Sequence, residues 1–230
     1  MNIGFYGQSD ASWAGYKISG QLSFIDQIII KKRARLANIG TPQGSEERIL
    51  FELKKTKDLD LAIIFHSLPK FIYLPSCNRD LTLKELESRA VYLWREIGEH
   101  STEAAKAKDH FFSNGGIKET FGDIETFLKT IGLYKEFLHH PDLAMNRFTG
   151  ALIQIDQYIT SKQIPCIHIP IQKVIPPWFS FSSGKILPEV QDLTLKHREV
   201  GTYTNNISAE GQDIIAERLL HEIDALSFKK

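Results

Sequence analysis

The feature that most constrains the fold is an alternation of two hydrophobic periods within the first 65 residues. Asn2 to Tyr6 is a short apolar run that stops at Gly7, the pattern of a buried strand followed by a sharp turn. Leu22, Phe24, Ile25, Ile28 and Ile29 then share one helical face, and Arg35 to Ile39 reads as a second strand. Gly40, Pro42 and Gly44 break the chain, after which Ile49, Leu50 and Leu53 line a helix that starts at Ser45. Leu59 to Phe65 is a third strand. Strand, helix, strand, helix, strand implies parallel strands joined by crossover helices, hence an α/β layered fold. In such folds the loops at the carboxyl ends of the strands carry function. Gly7 to Asp10, Gly40 to Glu46 and His66 to Pro69 therefore belong to one edge.

Thr82 with Glu85 reads as a capping box for a helix to about Ile97, with Leu86, Ala90, Leu93, Trp94 and Ile97 facing inward. Residues 98–140 hold helical pieces separated by Asn114-Gly115-Gly116, and we read them as a helical insertion or lid. Asn146 to Lys162 is helical through Leu152, Ile155 and Ile159, and Ile164 to Ile171 is the next parallel strand. Val174 to about Asn206 reads as a long Pro-rich, aromatic loop, long enough to be functional or to meet a partner. Ser208 can cap a last helix whose stripe is Ile214, Ile215, Leu219, Leu220 and Ile223. With no repeat and no linker, residues 1–230 are expected to form a single domain carrying the 98–140 insertion.

Composition narrows the function classes. Lys and Arg number 28 and so do Asp and Glu, so the chain cannot grip nucleic acid or anionic lipid through bulk charge. With 42% hydrophobic residues and a mean hydropathy of -0.21 it is ordinary globular material, not disordered or collagen-like. No run reaches the ~18 apolar residues of a membrane span, and no basic, then apolar, leader opens the sequence. Cys77 and Cys166 fit neither a disulfide framework nor a zinc site, so a reducing, cytoplasmic location is expected.

Ser9 follows Gly7 directly beyond the first strand, where a tight turn exposes a hydroxyl at the sheet edge as a nucleophilic serine requires; a turn or capping serine is the ordinary alternative. Together, FYGQS, NIGTPQGSEERI, DLDLAIIFHS and NNISAEGQDIIAERLL resemble, in order and spacing over nearly the whole chain, the SGNH (GDSL) hydrolase family. The resemblance implies a three-layer α/β/α sandwich with a central parallel sheet of flavodoxin-like topology. It also implies serine-dependent cleavage of carboxylic esters, including acyl groups on small molecules, glycans or lipids, with no cofactor and no metal.

Under that resemblance Ser9 falls on the nucleophile, Gly7 on the first glycine and Gly44 on an oxyanion-hole donor, while Gln8 replaces the usual aspartate. Gly44 to Ile49 is similar to a variant reading Gly-Ser-Ser-Asn-Glu-Arg-Ile, found in short SGNH-like proteins of bacteriophages, which points to a virion or infection-related role. Glu46 stands where that variant has asparagine, and a carboxylate there would repel a developing oxyanion. The third-block Gly-x-Asn is absent, since the strand ends in His66-Ser67-Leu68-Pro69. Tyr203 and Asn206 occupy the positions of the family's aspartate and histidine, and asparagine cannot take the serine proton. A substitute base would have to be His66 or His197; otherwise His66 packs or hydrogen-bonds at the sheet edge and His197 is solvated.

The remaining candidates read more plainly. His168, between Ile167 and Ile169, is an interior or edge residue, and adjacent His139 and His140 with Asp142 point in different directions, a poor metal site. Lys31 to Arg35 complements a helix C-terminus, with a phosphate site as the weaker reading. Trp178, Phe179 and Phe181 are either a sugar- or protein-binding platform within the 174–206 segment or an aromatic group folded onto the core. Two functions remain: an SGNH-like esterase or acylhydrolase, or a catalytically impaired scaffold that binds a partner. Nucleotide or phosphate handling lacks a Walker or Gly-x-Gly-x-x-Gly loop.

Overall fold

Five strands pair in parallel in a computed structural model of the chain: β1 (Asn2–Gly7), β2 (Arg35–Asn38), β3 (Leu61–Phe65), β6 (Cys166–Ile169) and β7 (Lys185–Ile186). The structure describes residues 1–7, 22–40, 44–69, 71–74, 79–82, 126, 129, 133, 140–198 and 207–226. The chain divides into two units, Met1–Pro69 with Arg147–Lys230, and Lys70–Asn146. In the second unit β4 (Phe71–Leu74) and β5 (Arg79–Thr82) form an antiparallel pair. Residues 83–97 lie outside the described ones, as does the 98–140 segment except for helical positions 126, 129 and 133 and residue 140.

The first unit holds the sheet. Its order, β2-β1-β3-β6-β7, is 2-1-3-4-5 when only its own strands are counted, the flavodoxin-like order. β3 is LAIIF with every residue buried, because a parallel strand covered on both faces needs apolar side chains in both directions. Alternate residues sort the core into two layers. Ile3, Phe5, Ile63, Phe65, Ile167 and Ile169 pack with α1 (Phe24–Lys32), α4 (Pro188–Lys196) and α5 (Ala209–Ala225). Tyr6, Ala62, Ile64 and Cys166 pack with α2 (Glu46–Lys55) and with Ile155 and Ile159 of α3 (Pro141–Lys162). The expected α/β/α sandwich with a parallel sheet is present.

One segment differs from its sequence reading. The span read as a loop from Val174 to Asn206 contains a short 3-10 turn, the edge strand β7 and the helix α4. Pro188, within the span read as a Pro-rich loop, starts α4, because the N–H it lacks would have no acceptor in the first turn. Leu187 and Val190 are buried one turn apart, and Leu193 packs against the same core. Residues 199–206, with Tyr203 and Asn206, lie outside the described ones.

In the 2-1-3-4-5 order the chain leaves β1 in one direction for β2 and returns to β3 on the other side. The crevice beyond the carboxyl ends of β1 and β3 is where such folds bind ligands. Gly7 closes β1 there, with φ of 126° and in register with Phe65. A Cβ at Gly7 would lie 2.0 Å from the Phe65 carbonyl oxygen, so no side chain fits.

Candidate functional site

Three parts of the first unit meet the carboxyl edge of the sheet. The first is the start of α2, where Gly40 and Gly44 are buried and Ser45 caps the helix by accepting the Arg48 N–H at 3.3 Å. The following Glu46 is buried, its carboxylate turned toward the end of β3. Oε1 accepts the Ser67 N–H at 2.6 Å, and Oε2 accepts from His66 Nδ1 at 3.1 Å. The repulsion expected from a carboxylate at position 46 is therefore met by an imidazole and a backbone amide.

The second part continues that chain. His66 follows β3, and its Nε2 lies 3.0 Å from Nδ1 of His168, which sits on the neighbouring β6. Phe181 stacks over His168 at 4.0 Å between ring centres and lies 5.0 Å from His66, and His66, Ser67 and His168 are all buried. Burial, reinforced by the neighbouring His66, holds the His168 imidazole well below its ordinary pKa, so it is neutral. On its other side the His168 ring faces the Ser183–Gly184 backbone, and a backbone hydrogen bond with Ser183 opposes part of that lowering. The chain Glu46, His66, His168 was invisible as a unit in the sequence. Its one signal was a histidine directly after one apolar strand and another within the next apolar run read as a parallel strand.

The third part is the junction of α4 and α5. Arg218 Nη2 donates to Glu189 at 2.7 Å and the Lys185 Nζ lies 3.5 Å from Glu222, while the Ser208 N–H donates to the His197 carbonyl at 2.9 Å. α4 therefore runs antiparallel to α5, carrying its last residues to the N-terminus of α5. Phe24 donates its N–H to Gln212 Oε1 at 2.7 Å, so that terminus sits beside the start of α1, on the carboxyl edge of the sheet. His197 caps α4, and a bridge between Arg198 and Ile207 fastens the junction. The close approach needs Gly211, where a Cβ would come within 2.4 Å of the His197 Cβ. His197 was expected in solvent; instead it is half-buried, and its Nε2 is fully buried with no hydrogen-bond partner among the described residues.

The other candidates fall as follows. Ser9, Gln8, Cys77 and His139 lie outside the described residues. Cys166 is a free, buried thiol whose pKa is pushed up by burial and then by Asp156. Exposed His140 pairs with Asp142 at 3.4 Å, and among the described residues no three His, Cys, Asp or Glu side chains are arranged to hold a metal ion. Lys31 and Lys32 close α1 ahead of a left-handed Arg33, and Lys32 pairs with Asp224. The aromatic group divides: Phe181 folds onto the histidines, whereas Trp178 is 70% exposed. Two bonds from Ser182 to Asp156, at 2.8 and 2.6 Å, pin the segment beneath them. No helix among the described residues is long and apolar enough to cross a membrane.

No protein-family model matches the chain, and no curated protein matches it. A solved structure described as a lipolytic protein of G-D-S-L family from Desulfitobacterium hafniense DCB-2 is similar at 12% identity, with a TM-score of 0.34 over 96% of this chain and 98% of that one. A likeness of that size bears no weight on activity. The fold assignment rests on the strand order itself.

Proposed function

We propose that this chain is a serine ester hydrolase of the SGNH type whose base has moved from position 206 to His197. The observation that carries the reading is the buried Nε2 of His197, which has no hydrogen-bond partner among the described residues and is held by main-chain bonds beside Ile207 and Ser208, next to the segment where the family keeps its histidine. A buried imidazole nitrogen without a partner is costly unless a ligand or nucleophile uses it. In this reading Ser9 attacks the carbonyl carbon of a carboxylic ester while its proton passes to His197. The Gly44 and Ser9 amides receive the oxyanion, and the same imidazolium then protonates the leaving alcohol. Water, deprotonated by His197, releases the acid and restores the serine. Small-molecule, glycan or lipid esters are the substrate class. The phage-related role suggested by the Gly-Ser-x-x-Glu-Arg-Ile style belongs to the same proposal.

A second reading, an SGNH-like scaffold that binds and does not cleave, has one observation in its favour. Beyond β3, where the resembled family adds an asparagine as its third oxyanion donor, stand His66 and Ser67, and the His66 ring and the Ser67 N–H are both committed to Glu46. Labelling with a serine-reactive fluorophosphonate, alongside hydrolysis of a short-chain nitrophenyl ester, separates the two. Labelling and turnover that disappear in Ser9→Ala support the hydrolase. Wild type and Ser9→Ala behaving alike, both folded, would establish the scaffold.

A further inference from the structure

We infer that Glu46, His66 and His168 form a buried latch that positions the Gly44 turn, making Glu46 a positioning residue for the oxyanion hole. The inference takes its chemistry from the ester-hydrolase reading, while its geometry stands alone. Glu46 is the first residue of α2, two places after Gly44, and it is held at three points: by its helix, by the Ser67 N–H and by His66. The turn that presents the Gly44 amide cannot slide along the crevice without breaking a buried, charge-assisted bond.

The proton count shows why the array is rigid. The Glu46 contact needs a proton on His66 Nδ1, and the 3.0 Å contact between the rings needs one proton shared between His66 Nε2 and His168 Nδ1. Both bonds are satisfied whether His66 is neutral or an imidazolium, because His168 is neutral in either case. Phe181 covers both rings, and the reduced water access strengthens each bond. The carboxylate is thereby directed at β3 with both oxygens hydrogen-bonded, so the oxyanion donors upstream do not face an unpartnered carboxylate.

Glutamine at position 46 would preserve this latch. Its carbonyl accepts the Ser67 N–H and its amide donates to His66 Nδ1, with the ring proton moved to Nε2 to serve His168. Alanine would open it. The test measures kcat and KM for a nitrophenyl ester, per folded molecule, together with amide hydrogen exchange at Gly44 and Ser67. Glu46→Ala is expected to lower kcat about 10- to 100-fold with KM within about 2-fold, the scale of a sub-ångström misplacement, and to speed exchange at both amides. Glu46→Gln is expected to stay within about 3-fold of wild type. Should Glu46→Ala fail to fold, His168→Leu, which severs the outer bond alone, is expected to speed the same two amides. Unchanged exchange in the opened variant, unchanged kcat despite faster exchange, or a Glu46→Gln defect equal to that of alanine would each overturn the latch. A wild type that hydrolyses nothing would remove the hydrolase reading alone, and the exchange data would still decide whether the latch exists.

Discussion

His66 and His197 stand at the same edge of one sheet and differ in a single respect that decides their chemistry. Both nitrogens of His66 are spoken for, one by Glu46 and one by His168, whereas the Nε2 of His197 is buried with no partner among the described residues. A base must have a lone pair to offer, so the residue with the better-connected ring is the worse catalyst. Its connections make it a structural element instead. On the hydrolase proposal, α4 brings His197 to the N-terminus of α5, the terminus at which the resembled family keeps its histidine.

The sharpest way to break the comparison is to remove each ring in turn. His66→Ala leaves the buried Glu46 carboxylate with the Ser67 N–H and without its imidazole, and is expected to cost about 3 to 5 kcal/mol of stability by urea unfolding. His197→Gln, which deletes no hydrogen bond of the ring, is expected to leave the unfolding midpoint nearly unchanged while lowering kcat about 10²- to 10⁴-fold. The reverse pattern, a stable His66→Ala and an unfolded His197→Gln, would exchange the two roles.

The pH dependence sharpens it further. Burial, with the neighbouring His66, lowers the pKa of His168 in the folded state, so below about 6.5 the unfolded chain binds a proton that the folded chain refuses. Stability from this group is therefore full above pH 6.5 and falls with acid by up to about 1.4 kcal/mol per pH unit until His168 protonates in the folded protein. Among the described residues, the titratable group facing His168 is His66 after β3, with Glu46 of α2 on the far side of the His66 ring. Unfolding free energies at several pH values between 7.5 and 5 should show that slope in wild type and a flatter line in His168→Asn. A wild type as flat as the variant would remove the buried-array account.

The smallest effect is expected on the other face of the sheet. There Arg218 bonds Glu189 and Glu222 where water reaches it. Burial pushes the Glu222 carboxyl up, but the hydrogen bond and charge of Arg218, helped by Lys185, outweigh it and hold the group below the usual range. Even so, Arg218→Ala is expected to cost under about 1 kcal/mol and to lose more of its effect as salt is raised. A loss comparable to that of His66→Ala would show that the two clusters do not differ in kind.

The strands and helices of the first unit were legible because each is written in one period: LAIIF for a strand buried on both faces, the Ile49 and Leu53 spacing for α2, the Ile215 and Leu219 stripe for α5. β7 and α4 were not, because β7 has only two residues, both exposed, and Pro188 ends most patterns, its place at the first turn alone making it a start. At the site, sequence placed Gly44 and His66 on the carboxyl edge and named both histidine candidates, but it showed no partner for Glu46 and left His197 open between a substitute base and a solvated side chain. What those two do depends on contacts across 20 residues, from Glu46 to His66, and between His197 and Gly211, neither of which leaves a local pattern.

The measurement that tests the central claim most directly is the rate of fluorophosphonate labelling in wild type, Ser9→Ala and His197→Gln, each checked for folding. The account predicts labelling in wild type, none in Ser9→Ala, and a rate lowered at least about 100-fold in folded His197→Gln. Labelling of His197→Gln at the wild-type rate would contradict it, since the serine would then be activated by some other group.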